Sequence, residues 1–150
     1  MGHLAFNQQI AAPVDTVFAI ATDLPRAAEH IAGIDRVELL TDGPVGLGTR
    51  WRETRTMFGR ESTEELAITQ FEPPRGYTVS SNSCGAQFDC RFDFSPTDGG
   101  TLMSLELDWR AVSVFAKLMS PLSGMMVGSI EKAMRQDLLD LKHAAETKAD

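Results

Sequence analysis

A chain of 150 residues, 43% of them apolar and 23% charged, has the size and balance of one globular domain, which excludes a disordered or fibrous polymer and a second independent core. Its 14 Lys and Arg against 21 Asp and Glu leave a net charge of −7, a sign that repels phosphate backbones and anionic headgroups and makes nucleic acid a poor partner. The longest mostly apolar stretch, Met119 to Ile130, is broken by Pro121, Gly124 and Gly128 and is too short to span the roughly 30 Å hydrocarbon core of a bilayer.

The amino terminus has no basic region followed by an apolar run, so a cytoplasmic protein is expected. In that compartment Cys84 and Cys90 stay reduced, and two Cys with no nearby His make no metal site, so no metal or other cofactor is expected. Leu4, Phe6, Gln8 and Ile10 alternate with Ala5, Asn7 and Gln9, the period of a half-buried strand over His3 to Ala11. Pro13 at the first helical position, Asp15 in the first turn, and Val14, Val17, Phe18 and Ala21 at helical spacing predict a short helix to Thr22. Leu24-Pro25 breaks it, and Arg26 to Ile31 reads as a second short helix.

From Asp35 the period is two. A strand runs to Leu40, a Gly- and Pro-rich loop covers Thr41 to Gly48, and a further strand runs from Thr49 to Phe58. Gly59-Arg60 offers a two-residue turn with Gly first, which sets Trp51 opposite Ile68, Glu53 opposite Leu66 and Arg55 opposite Glu64. Gly85-Ala86 repeats the pattern and pairs Tyr77 with Phe94, Val79 with Phe92, Ser81 with Cys90 and Ser83 with Phe88. The large apolar residues of that hairpin share one face, Gln87, Asp89, Arg91 and Asp93 share the other, and opposite parity keeps Cys84 and Cys90 unbridged. A last strand after Gly100 turns Thr101, Met103, Leu105, Leu107 and Trp109 inward.

The carboxy-terminal third returns to helical spacing. Val114, Phe115 and Leu118 mark a preliminary turn, and Ser120-Pro121 is a cap followed by Pro at the first helical position. Leu122, Met126, Ile130, Met134, Leu138 and Leu141 then form the apolar stripe of a helix reaching Lys148. A meander of about seven strands with one dry face and one long amphipathic helix must cover each other, which gives an α+β fold in a single domain over 1–150. A helix laid across a curved sheet encloses a space, and its lining separates a plain core from a pocket. Glu53, Arg55, Glu64, Ser81 and Ser83 stand at inward positions that a solid core would fill with Leu, Ile or Val, so a wet pocket is expected. On the helix, Gly124 and Gly128 thin the wall, while Met126 and Met134 adapt to whatever lies beside them.

Ile10-Ala11-Ala12-Pro13 followed by Val17-Phe18 and Asp23, the segment Val45-Gly46-Leu47-Gly48-Thr49, the corner Phe71-Glu72-Pro73-Pro74-Arg75-Gly76-Tyr77, and Phe92-Asp93-Phe94 with Gly100-Thr101 follow one another in a recognisable order. That order resembles the Bet v 1-like, START-related helix-grip (SRPBCC) domains, in particular their polyketide cyclase/dehydrase-like branch, from Phe6 to Ala145. The resemblance implies a curved antiparallel sheet of about seven strands wrapped around a long C-terminal helix, with two short helices after the first strand. It extends over lipid and hormone carriers and cyclases of aromatic polyketides, so it implies a small hydrophobic partner and brings no universal catalytic motif.

Two functions stay open. In a binding module, a lipid, polyketide or aromatic metabolite would meet Trp51, Glu53, Arg55, Glu64, Tyr77, Ser81, Phe88, Phe92, Met103, Met126 and Gly128, with Arg55 holding a carboxylate or enolate oxygen at the polar end. In a cyclase or dehydratase, Glu53 or Glu64 would be the base, Arg55 would stabilise developing negative charge, and His30 at the pocket mouth would be a further proton-transfer candidate. Plainer readings stand beside each: an exposed ion pair for Arg55, core packing for Trp51 and Tyr77, an ordinary helical histidine for His30.

Overall fold

The alternation of strand β1, Gly2–Ile10, carries Phe6 and Ile10 into the core and leaves Ala5, Asn7 and Gln9 in solvent. A computed structural model describes residues 2–57, 59–83, 86–111 and 124–149 of the chain. Helix α1, Val14–Ala21, starts one residue later than expected, because Pro13 keeps an extended ψ of 152° and serves as its N-cap. The backbone N–H and the hydroxyl of Thr22 both donate to the Phe18 carbonyl and close its far end. Past Asp23 a single 3-10 turn, Leu24–Arg26, leads into the one-turn helix α2, Ala27–His30. Then come β2 (Ile34–Leu39), β3 (Arg50–Met57), β4 (Arg60–Glu72), β5 (Gly76–Ser83), β6 (Ala86–Thr97), β7 (Gly100–Ala111) and the long helix α3 (Gly124–Ala149). The preliminary turn at Val114 to Leu118 and the cap at Ser120-Pro121 fall outside the described residues.

The strands form one seven-stranded sheet in the order β1-β7-β6-β5-β4-β3-β2, and every neighbouring pair is antiparallel. Two registers differ from expectation by two residues. In the first hairpin Met57 pairs with Arg60, so Gly59, with φ 74°, is the second turn residue rather than the first, a left-handed position that favours Gly. Trp51 therefore faces Leu66, Glu53 faces Glu64 and Arg55 faces Ser62. In the second hairpin Ser83 pairs with Ala86, which sets Tyr77 opposite Phe92, Val79 opposite Cys90 and Ser81 opposite Phe88. The two residues between, 84 and 85, lie outside the described set. A slip of two leaves every side chain on its expected face, whereas a slip of one would have inverted the sheet.

Curvature comes from irregular pairing between Ile68 and Gln70 in β4 and between Ile34 and Arg36 in β2, where the extra residue bends the strand. At the start of β7, Gly100 has φ 141°, and a Cβ there would lie 2.2 Å from the Ile10 carbonyl oxygen, so only Gly lets this corner close on β1. α1 packs against β6 and β7, and Phe18 meets Tyr77 and Phe94 edge-on at 5.9 and 5.5 Å between centroids. α3 presents Ile130, Met134, Leu138, Leu141 and Ala145 to the same core, as its stripe predicts. It is also clasped from outside: the Asp140 carboxylate accepts the Ala32 N–H at 3.0 Å, and that of Glu146 accepts the Ala11 N–H at 2.8 Å.

Candidate functional site

Strand alternation gives Trp51, Glu53 and Arg55 one face of β3, and that face looks at α3. The guanidinium of Arg55 crosses the interior, donating from Nη1 and Nη2 to the two oxygens of Asp137 at 3.2 and 2.7 Å, and from Nε to Glu53 Oε2 at 2.8 Å. The three side chains are only 19%, 11% and 17% exposed for Arg55, Asp137 and Glu53, so the plain reading of an exposed surface pair does not hold. The expected partner, Glu64, is displaced from Arg55 by the register. It stands half-buried opposite Glu53 and makes no ion pair among the described residues.

Sequence reasoning missed Asp137, although a signal was there. Ile130, Met134, 137 and Leu141 are spaced four, three and four apart, so a carboxylate occupies an inward position of an otherwise apolar stripe. Burial works against the charge of Arg55, but the hydrogen bonds and charges of Asp137 and Glu53 outweigh it and hold the guanidinium above its ordinary pKa. Asp137 also titrates above the usual carboxylate range. Burial pushes it up and the nearby charges of Glu53 and Asp140 add to this, against the bonds from Arg55. Burial likewise raises the phenol of Tyr77 and the thiol of Cys90, with Glu53 contributing to both.

Around this cluster the interior divides in two. Under α1 and along the middle of β7 the inward face is solid: Met103 is 0% exposed and Leu105 1%. Met103 is thus a core residue with no surface turned to a ligand space, contrary to expectation. Tyr77 is also in this solid part, stacked on Phe92 at 4.7 Å with its hydroxyl donating to the Ala21 carbonyl at 3.3 Å. On β5 and β6, by contrast, Val79, Phe88, Cys90 and Phe92 face inward yet are only partly buried. Ser81 sits between these residues, and Cys90 is an unbridged thiol. Cys84 lies outside the described residues, as does the side chain of Met126.

Gly128 is not where the sequence placed it. It is exposed, its Cβ position meets no atom of the described residues within 4 Å, and it lines a cleft of about 310 Å³ on the outer face of α3 with Lys132 and Arg135. The helical repeat explains this: residues 128, 132, 135 and 139 follow one another on the side opposite Ile130, Met134 and Leu141. His30 is mostly covered, its Nε2 is 3.7 Å from Asp23 Oδ2, beyond hydrogen-bond range, and no other partner reaches it among the described residues. Trp51, 2% exposed and packed on Leu24, Ile68 and Leu66, likewise has its Nε1–H unpartnered. Among the described residues no group of three or more His, Cys, Asp or Glu is placed to hold a metal ion, and no helix is long and apolar enough to cross a membrane.

Residues 1–146 match the family model described as polyketide cyclase / dehydrase and lipid transport. No curated protein sequence matches the chain. Among solved structures, it is similar to the Zhui aromatase/cyclase from Streptomyces sp. R1128, at 16% identity and a TM-score of 0.80 over 99% of this chain and 96% of that one. It is also similar to Ara h 8.0201, at 13% identity and a TM-score of 0.78 over 97% and 98% of the two chains. The di-domain ARO/CYC StfQ from the steffimycin biosynthetic pathway matches at 14% identity and a TM-score of 0.80, over 98% of this chain and 51% of its own. Likeness at these identities is likeness of fold.

Proposed function

The chain belongs to the polyketide cyclase/dehydrase and lipid transport family, and from that premise we propose that it binds a small, largely apolar molecule between the sheet and α3, with the Arg55 cluster as the polar end of the site. The observation that carries this reading is the contrast within one sheet face. Val79, Phe88, Cys90 and Phe92 keep accessible surface although they face the helix, while Met103 and Leu105 on the same face have none. A hydrophobic lining with a few convergent polar groups is what small-molecule sites require. Fluorescence titration with the neutral dye Nile red tests it. The wild type should bind the dye, and Val79→Trp, which fills the space with an indole, should lose at least tenfold in affinity while its circular dichroism spectrum stays native. Equal affinity in both proteins would place the dye elsewhere.

One observation favours a second reading, in which the bound molecule is cyclised or dehydrated. Asp137 is a covered carboxylate with a raised pKa beside a guanidinium, the setting in which a side chain can exchange a proton with a substrate while its neighbour stabilises negative charge. A short poly-β-keto thioester incubated with the protein should then lose water faster than in buffer. Asp137→Asn should abolish that acceleration and leave Nile red affinity within twofold.

A further inference from the structure

On the inward face of β3, Arg55 and Glu53 differ in what they still offer a ligand. Three of the five N–H donors of Arg55 are used within the cluster, that of Nε on Glu53 and one each from Nη1 and Nη2 on Asp137. Glu53 Oε2 receives Arg55, whereas Glu53 Oε1 has no hydrogen bond among the described residues. The charges of Glu53, Asp137 and Arg55 sum to −1 when all three are ionised. Protonation of Asp137 brings the sum to zero and never above it.

We propose that this site selects neutral ligands bearing a hydroxyl or phenol donor and rejects carboxylates, with Glu53 as the acceptor that sets the preference. The proposal rests on the reading of this space as a ligand site. It reverses the expectation, drawn from Arg55 alone, that the polar end would hold an acid. A carboxylate entering here meets two others around one guanidinium whose charge they already balance, whereas a hydroxyl completes the free valence of Glu53 with a charge-assisted bond.

Displacement of Nile red by matched naphthalenes decides it. At pH 7, 2-naphthol should displace the dye from the wild type at a concentration at least about tenfold lower than 2-naphthoate, with 2-methoxynaphthalene between them. Glu53→Gln should bring naphthol and naphthoate within about threefold of each other, because the competing charge is gone. Glu65→Gln, an exposed carboxylate beside Arg50, should leave the original gap, which separates a local effect from the net charge of the molecule. Naphthoate competing as well as naphthol in the wild type would overturn the proposal and leave the ligand site standing. So would a gap unchanged in a folded Glu53→Gln, and if that variant fails to fold the wild-type comparison alone decides. Nile red that binds nowhere on the wild type would remove the ligand site itself, and this proposal with it.

Discussion

One guanidinium serves two carboxylates at Arg55, and the imbalance falls on Asp137, which burial holds above the ordinary carboxylate range. A carboxyl group whose pKa is raised on folding favours the folded state fully at pH below its unfolded value, and that contribution is lost as pH rises through the folded value. Asparagine at this position cannot titrate. The stability of Asp137→Asn minus that of the wild type should therefore be flat in acid and climb as pH passes upward from the ordinary carboxylate range, by at most about 1.4 kcal/mol per pH unit. Urea denaturation of both proteins at a series of pH values measures it. A difference that falls with pH would mean that the bonds from Arg55 outweigh burial.

Helix α3 has two faces with separate duties. Its inner stripe closes the core and delivers Asp137, while its outer side carries Asp140 and Glu146, which hold the backbone at Ala32 and Ala11 and so fix where the helix lies on the sheet. Gly128 belongs to the outer side and its Cβ position meets no described residue, so the extra freedom that it gives the unfolded chain is its main effect on the helix. Gly128→Ala should stabilise the protein by about 0.5–1 kcal/mol in urea denaturation. Gly128→Leu should leave Nile red affinity unchanged; a loss of binding there would return this glycine to the ligand wall.

Across the whole molecule, the sheet is packed solid where α1 covers β6 and β7 and retains inward accessible surface along β5 and β6. A ligand that binds only the folded state at 100 times its dissociation constant stabilises it by about 2.7 kcal/mol. Saturating Nile red should raise the thermal midpoint accordingly. It should also slow amide exchange most in β5, β6 and α3, and least around Met103 and Leu105 of β7, which have no surface for it to touch. Uniform protection of every strand would indicate global stabilisation from a site outside this region.

Much of this architecture was legible in residue order because its signals are local. The alternation of Leu4 to Ile10 and of Thr101 to Trp109 marks strands, and the stripe from Ile130 to Leu141 marks the helix. Together they require a sheet with one dry face covered by one long helix. The face of Trp51, Glu53 and Arg55 was legible for the same reason, since alternation survives a two-residue error in the turn. The error itself arose because Gly59-Arg60 satisfies one hairpin rule and Phe58-Gly59 another, and only the pairing of Met57 with Arg60 chooses between them. What tertiary structure alone decided is the partner of Arg55. Residues 55 and 137 are far apart in the chain and sit on different elements, so their meeting depends on how deep and at what angle α3 lies on the sheet, and that is set by packing and by the clasps at Ala32 and Ala11. Tertiary packing also decided which inward residues are core and which keep surface: Met103 and Phe92 have the same parity, yet one is fully buried and the other stays partly accessible.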